Sequence, residues 1–224
     1  MSQEQWTEVD RYITQHFVPS DSALEAALAA SDKAGLPAIN VAPNQGKLLQ
    51  LLAQSIGART ILEIGTLGAY STIWLARALP PRGRLVTLEA NAAFAEVARA
   101  NIARAGFAQQ VEIRIGTALD TLPKLAAEGL GPFDLTFIDA DKENNSTYFH
   151  WALKLSRLGS LIIVDNVVRE GALIDASRKD AHIQGVRDFY SAAAAEKRVS
   201  VTAIQTVGSK GYDGFAIALV TAGA

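Results

Sequence analysis

The chain contains 224 residues, 49% of them hydrophobic, and carries a formal net charge of −2 at pH 7. No linker, charge block or internal repeat divides it, so we expect one domain over residues 1–224 with an ample core. The absence of cysteine excludes disulfides, thiolate metal sites and a cysteine nucleophile, and the nearly neutral charge gives no broad basic surface for nucleic acid.

The N-terminal region is predicted to be helical over residues 3–18 and 21–34, with Ser20 or Asp21 capping the second helix. Residues 1–38 precede the first predicted strand, so we expect a lid or a dimer surface, although plain packing helices explain the pattern equally well. The first residues are polar and acidic, unlike a signal peptide, and no apolar run approaches the roughly 18 residues of a membrane span. We therefore expect a cytoplasmic protein without a membrane contact.

The next region indicates a nucleotide-type pocket. Its predicted elements are a helix, a strand, a helix and a strand, over residues 43–56, 60–65, 71–79 and 84–89. Gly65 and Gly68 follow the first strand and would let the backbone approach a ligand. Glu89 ends the second strand, and an acidic residue about 20 positions beyond the glycines can accept both hydroxyls of a ribose. Glycine after a strand is also an ordinary turn residue, and the pattern is not Gly-x-Gly-x-x-Gly.

The rest of the chain continues the alternation of strands and helices. Further helices are predicted over residues 91–105, 119–128, 143–157 and 180–197. Further strands are predicted over residues 111–116, 133–141, 158–166, 200–207 and 213–220. The last two strands are close enough for a hairpin. Five strand–helix units followed by a hairpin predict a mostly parallel α/β sheet with an antiparallel edge, and ligands of such sheets bind beyond the carboxyl ends of the strands.

Polar side chains end the two strands that flank the predicted helix at 143–157. Asp139 ends the first strand, and Asp165 and Asn166 end the second. Because a strand–helix–strand unit is parallel, these side chains would converge if the strands are neighbours. Three oxygen donors suit a hard divalent cation such as Mg²⁺. The alternatives are that Asp and Asn only start turns and cap helices, and that Lys142, which follows Asp139, is a solvated loop lysine.

Five segments carry the most specific patterns of the chain. In order they are NVAPNQG at 40–46, LEIGT at 62–66, FIDADK at 137–142, VDNV at 164–167 and GYDG at 211–214. Taken together they resemble the cation-dependent O-methyltransferases that use S-adenosylmethionine, the group that contains catechol and caffeoyl-CoA O-methyltransferases. The resemblance runs from about residue 39 to the C-terminus. It implies the class I methyltransferase fold, a Rossmann-like, doubly wound, mostly parallel sheet of seven strands with the last strand antiparallel, and a homodimer.

The resemblance also implies roles for matching residues. The cofactor's methionine part would contact Val41, Glu63, Gly65, Thr66 and Ser71. Glu89 would hold the ribose hydroxyls, and Ala118 would lie beside the adenine. The metal ligands would be Asp139, Asp165 and Asn166, with Asp139 also near the cofactor's amino group. Lys142 would be the base that deprotonates the substrate hydroxyl.

The implied reaction is methyl transfer to a small aromatic vicinal diol that chelates the cation. Mg²⁺ is the first expectation and Mn²⁺ or Ca²⁺ the alternatives. The segments after Lys142 and after Asn166 depart from the family pattern, so the acceptor stays open, and Arg169 and Tyr212 are candidates to touch it. The alternatives are a hydroxyuridine of transfer RNA as acceptor, a nicotinamide-dependent oxidoreductase, and a non-catalytic cofactor-binding protein.

The histidines lack metal-ligand spacing and are interpreted as solvated or packing residues; they are His16, His150 and His182.

Overall fold

The computed structural model describes residues 2–19 and 21–223. The helices are α1 (Gln3–Phe17), α2 (Ser22–Lys33), α3 (Pro43–Ser55), α4 (Tyr70–Ala76), α5 (Ala92–Arg104), α6 (Ala118–Ala127), α7 (Asn145–Lys154) and α8 (Ala181–Ala195), with 3₁₀ turns at Lys142–Asn144 and Arg169–Ile174. The strands are β1 (Thr60–Ile64), β2 (Arg84–Glu89), β3 (Val111–Ile115), β4 (Phe133–Ile138), β5 (Ser156–Asp165), β6 (Val199–Gly208) and β7 (Gly211–Val220).

The seven strands form one sheet in the order β3-β2-β1-β4-β5-β7-β6. Strands β1 to β5 pair in parallel, and β7 is antiparallel to both of its neighbours. The predicted doubly wound sheet with an antiparallel last strand is confirmed. The antiparallel strand does not lie at the edge, however. It is inserted between β5 and β6, because the hairpin bends back onto β5 and leaves β6 outermost.

Helices cover both faces of the sheet, which explains the nearly continuous apolar runs of its central strands. Side chains of β4 alternate between two cores: Ile138 belongs to the core under α6, α7 and α8, and Phe137 to the core under α2, α3 and α4. Phe149 of α7 and Phe189 of α8 are fully buried in the first core with ring centroids 5.5 Å apart. Burial of this kind contributes about 25 cal/mol per Å² of apolar surface.

Several predicted boundaries move by a few residues. The helix predicted at 143–157 begins as a 3₁₀ turn and ends at Lys154, because Ser156 already pairs with Phe133 of β4. The hairpin strands are longer than predicted, since pairing continues until Gly208 meets Gly211. Asp21 caps α2 and accepts hydrogen bonds from two backbone N–H groups. Ser20, the other predicted cap, lies outside the described residues.

The N-terminal helix α1 lies across the turn of the β6–β7 hairpin. Asp10 is buried and accepts a hydrogen bond from the backbone N–H of Ser209 at 2.7 Å, and the Gln3 side chain donates to the carbonyl of Gly208 at 2.9 Å. Asn44 of α3 donates to the other Asp10 oxygen at 2.8 Å. These bonds fix α1 against the hairpin turn and against α3. Within residues 2–19 and 21–223, no helix has the length and apolarity to span a membrane.

Candidate active site

A cavity of about 790 Å³, here called the main cavity, lies beyond the carboxyl ends of β1, β2 and β4. Its lining includes nine of the residues that the sequence singled out: Val41, Gly65, Thr66, Ser71, Glu89, Ala118, Asp139, Lys142 and Asn166. This is the edge of the sheet at which the topology predicts ligands. Two predicted site residues, Glu63 and Asp165, lie behind this lining rather than in it.

The turn after β1 brings two strand ends unusually close. Gly65 has φ +102°, and a Cβ built on it would lie 2.1 Å from the carbonyl oxygen of Asp139. Only glycine therefore allows the end of β1 to approach the end of β4 at this point. The backbone N–H of Asp139 donates to the carbonyl of Ile64 at 2.8 Å, which continues the parallel pairing past the strand ends. Gly65 thus fixes the position of Asp139 in the cavity wall.

Glu89 joins the turns that follow β1 and β2. One of its carboxylate oxygens accepts from the backbone N–H of Leu67 at 2.8 Å, and the other accepts from that of Asn91 at 2.9 Å. An ionised carboxylate has about four acceptor sites, so this side chain can still accept two further hydroxyl donors. The predicted ribose contact is compatible with this geometry.

Glu63 is fully buried, and three hydroxyl groups surround its carboxylate. Ser71, Thr72 and Thr87 donate to it at 2.7, 2.5 and 2.7 Å. Burial raises the pKa of Glu63 to about 7, with a smaller contribution from the charge of Asp139, while the hydroxyl donors act in the opposite direction. Because Ser71 lines the cavity and Glu63 lies behind it, the carboxylate positions the serine that would meet a ligand.

Lys142 and Asp139 form a nearly buried ion pair. The lysine Nζ lies 2.8 Å from Oδ1 of Asp139, and the lysine is 8% exposed. The turn that carries Lys142 is held by Asp141, which accepts hydrogen bonds from the hydroxyl of Tyr148 at 2.6 Å and from the side chain of Asn144. Burial and the bond to Asp141 raise the pKa of Tyr148. Lys142 is therefore a positioned side chain rather than a solvated loop lysine.

Asp165 ends β5 next to this pair and is also buried. The side-chain amide of Gln45 donates to its Oδ2 at 2.8 Å, and the backbone N–H of Asn166 donates to its Oδ1 at 2.8 Å. Burial raises the pKa of Asp165 to about 7; the negative charge of Asp139 adds to this rise and the positive charge of Lys142 opposes it. Both of these hydrogen-bond donors are neutral, so within the described part of the chain no Lys or Arg side chain is bonded directly to this carboxylate.

Asp165 and Asn166 also line a small cavity of about 240 Å³ beside the hairpin turn. Asn166 lines both this cavity and the main one, and its φ of +57° turns the chain sharply after β5.

Asp139, Asp165 and Asn166 together offer two carboxylates and one amide oxygen, a donor set that fits a hard divalent cation. A cation there would offset the repulsion between the two carboxylates. Among residues 2–19 and 21–223, no group of three His, Cys, Asp or Glu side chains is placed to hold a metal ion.

Comparison with known proteins assigns the chain to a family. A family model described as O-methyltransferase matches residues 16–218. The chain belongs to the O-methyltransferase family. It is 52% identical to catechol O-methyltransferase of Niastella koreensis over 220 residues, which cover 98% of this chain and all of that protein.

Solved structures of O-methyltransferases agree with this assignment over nearly the whole chain. The Bacillus cereus O-methyltransferase in complex with SAH has a TM-score of 0.97 and 58% identity, covering 98% of this chain and 100% of that one. TomG from Streptomyces achromogenes, an O-methyltransferase involved in tomaymycin synthesis and solved with SAM, has a TM-score of 0.96 and 53% identity, with 99% and 100% covered. The predicted family, enzyme class and fold are therefore confirmed.

Four further residues of the site carried no role in the sequence prediction. Asp141, Tyr148 and His182 line the main cavity, and Gln45 donates a hydrogen bond to Asp165 from behind it. Arg169, which the sequence offers as a candidate to touch the acceptor, lines the main cavity as well. Gln45 lies within the segment at 40–46 that carries part of the family resemblance, so it could have been considered. His182 was interpreted as solvated or packing, and its place in the cavity wall is not visible from histidine spacing.

Proposed function

We propose that this chain transfers the methyl group of S-adenosylmethionine to one hydroxyl of a small aromatic vicinal diol, with the help of a divalent cation. The observation that carries this proposal is the arrangement of two sets of groups in one cavity. Gly65, Ser71 and Glu89 line it near β1 and β2, and Asp139 with Lys142 lines it near β4. A methyl donor and a hydroxyl acceptor can therefore occupy the same space, which favours transfer through proximity and orientation.

Each protein group has a distinct part in this reaction. Glu89 would accept the ribose hydroxyls of the methyl donor, and Ala118 would lie against its adenine. Asp139, Asp165 and Asn166 would hold the cation, Mg²⁺ before Mn²⁺ or Ca²⁺, which when bound lowers the pKa of a hydroxyl. Lys142 in its neutral form would accept the hydroxyl proton. The oxygen then forms a bond to the methyl carbon as the carbon–sulfur bond breaks.

Similarity to a relative supports the acceptor class, because the Niastella koreensis protein is a catechol O-methyltransferase.

We further propose a homodimer. Exposed apolar side chains on α1 and on the outer strand β6 support such an interface: Val9 and Tyr12 are 52% and 64% exposed, and Ile204 and Val207 are each 50% exposed. Sedimentation velocity would detect it, and a purely monomeric chain at micromolar concentration would exclude it.

The test is methyl transfer from labelled S-adenosylmethionine to a panel of small catechols, with Mg²⁺ and with EDTA. Wild type is compared with Asp165→Ala and with Asp32→Ala, a matched removal of an exposed carboxylate on α2. We expect transfer that requires Mg²⁺, is lost in Asp165→Ala and is kept in Asp32→Ala. Transfer that is independent of metal would refute the cation site alone. No transfer despite binding of the cofactor would refute the small diol, and transfer RNA bearing hydroxyuridine would be tried next.

A further inference from the structure

We propose that Arg169 forms a subsite for a single carboxylate on the methyl acceptor, so that the natural acceptor is a diol carrying one acidic substituent. The inference rests on the proposed function for the position of the diol. It concerns a second cavity of about 530 Å³, here called the side cavity. Arg169 and His182 line both the side cavity and the main cavity, so the two spaces share a wall.

The backbone around Arg169 is held in an unusual conformation. Arg169 and Glu170 have φ +55°, and Gly171 follows with φ +81°. Asp213 of β7 fixes this turn, because its Oδ1 accepts from the backbone N–H groups of Val168 at 3.0 Å and Arg169 at 2.8 Å. Left-handed non-glycine residues cost free energy and persist at ligand-binding segments. The position of Arg169, three residues after Asn166, is therefore set by the fold rather than by chance.

The guanidinium of Arg169 is poorly satisfied. Its closest ion-pair contact places Nη1 3.7 Å from Oδ2 of Asp213, which exceeds a hydrogen-bond distance. Its Nε is buried and has no hydrogen-bond partner among residues 2–19 and 21–223. Buried donors of this kind are normally paired. The Arg169 side chain is otherwise 36% exposed. The two Nη groups of a guanidinium also form a fork that matches the two oxygens of a carboxylate, so a bound carboxylate would pair with these groups.

The other arginine of the side cavity is already paired. Arg178 lies 3.2 Å from Oδ2 of Asp180, and Asp180 also caps α8. Arg169 is therefore the better candidate for a ligand anion. Four carboxylates also line this cavity, and they are Glu170, Asp175, Asp180 and Asp213. They would repel a polyanion such as a nucleotide diphosphate, whereas one carboxylate held by one guanidinium is tolerated. The charges favour a monocarboxylate over a phosphorylated acceptor.

The test compares two acceptors of nearly the same size and shape, the anionic 3,4-dihydroxybenzoate and the neutral 3,4-dihydroxybenzamide. Arg169→Met removes the guanidinium, Arg169→Lys keeps the charge without the fork, and Arg178→Met is the matched control in the same cavity. We expect the ratio of kcat/KM for benzoate to that for benzamide to fall roughly 10- to 100-fold in Arg169→Met. The ratio should recover in part in Arg169→Lys and stay unchanged in Arg178→Met. An unchanged ratio in Arg169→Met, or an equal loss on both acceptors, would overturn the subsite.

Calorimetric titration separates this inference from the proposed reaction. Both acceptors are titrated into the intact protein with SAH and Mg²⁺, and the midpoint of thermal unfolding confirms that each variant is folded. Transfer to benzamide without a preference for benzoate refutes the subsite and leaves the proposed function standing. If neither acceptor is methylated, the proposed function fails. Binding of benzoate that is weakened in Arg169→Met would then support the subsite alone, and binding that does not depend on Arg169 would refute it.

Discussion

The two ends of the main cavity differ in how their charged side chains are paired within the protein. At the cofactor end, formed by Gly65, Ser71 and Glu89 with Glu63 behind them, each carboxylate accepts from at least two protein N–H or O–H donors. At the acceptor end, Asp139, Lys142, Asn166 and Arg169 line the cavity and Asp165 lies behind them. Lys142 is bonded to Asp139, whereas Asp165 accepts from two neutral donors. The carboxylate paired with the Arg169 guanidinium is 3.7 Å away.

This difference indicates at which end the protein itself satisfies the polar groups before a ligand binds. Neutral hydrogen bonds stabilise the cofactor end in the protein alone, so a cofactor meets a preorganised surface. Buried charges without close partners are costly, so under the two proposals above a cation would complete the carboxylates of the acceptor end and an anion would complete Arg169. Each substitution below should therefore affect one end and spare the other.

Lys142→Met should produce the largest effect. Removal of the base is expected to slow methyl transfer about 10²- to 10⁴-fold, while the Kd of SAH stays within about threefold because the lysine belongs to the acceptor end. Rapid-quench single-turnover kinetics and calorimetry measure the two quantities. Lys154→Met, which removes a lysine that stacks on Trp151 at 4.6 Å, is the control. A loss of less than tenfold in transfer would exclude Lys142 as the base.

Glu89→Gln should act on the opposite end. The amide has one acceptor oxygen where the carboxylate has two, and both of these already accept backbone N–H groups. We expect the Kd of SAH to rise roughly 10- to 100-fold, since charge-assisted hydrogen bonds to a ribose would be weakened. The affinity for Mg²⁺ should not change. Glu112→Gln, on the outer strand β3, is the control, and a similar Kd in both variants would remove Glu89 from the cofactor site.

Gln45→Ala should weaken the cation site moderately. Gln45 donates to Asp165 at 2.8 Å without belonging to the proposed ligands, and loss of such a supporting group typically weakens metal binding by about 10- to 100-fold. We expect an effect near the lower limit, because the N–H of Asn166 still holds the other oxygen. Mg²⁺ calorimetry compares it with Gln54→Ala, an exposed glutamine on the same helix. Equal affinities would show that Gln45 does not support the site.

Glu63→Gln should produce the smallest effect, seen in the pH dependence of stability. The pKa of Glu63 is raised from its ordinary value of 4.5 to about 7, so the folded state binds more protons than the unfolded state between these values. Its contribution to stability is present below about pH 4.5 and is lost as the pH rises through 7. In EDTA, the unfolding midpoint of the wild type should fall between pH 5 and pH 8. The fall in Glu63→Gln should be smaller than that in the wild type by on the order of 5 °C. Asp165 shifts in the same direction, so part of the slope remains. An unchanged slope would contradict the raised pKa.

The sequence predicts the cofactor end better than the acceptor end, for a physical reason. Gly65 and Glu89 are placed by local signals, a turn glycine and a strand end. Asp139 and Asn166 line one cavity because adjacent parallel strands end at one edge of the sheet. Gln45 reaches Asp165 across 120 residues of sequence, which depends on how α3 packs. Whether the guanidinium of Arg169 finds a partner within the protein is likewise a tertiary property, so the sequence offers Arg169 only as a candidate.

The position of the antiparallel strand shows the same limit. Two apolar runs and a glycine-containing turn predict a hairpin. They do not determine which of its two strands pairs with β5. The structure pairs Asp165 with Phe215 of β7, and this choice places Asp213 where it fixes the turn at Arg169. One topological detail that local patterns leave open therefore determines the wall of the acceptor end.

The most direct test of the difference between the two ends is calorimetry of SAH and of 3,4-dihydroxybenzoate, each with Mg²⁺ and with EDTA. If the cofactor end is complete and the acceptor end needs a cation, SAH should bind with a Kd that changes less than about threefold on removal of Mg²⁺. The benzoate, titrated into the SAH complex, should bind only when Mg²⁺ is present. Equal binding of the benzoate in EDTA, or loss of SAH binding in EDTA, would contradict this account.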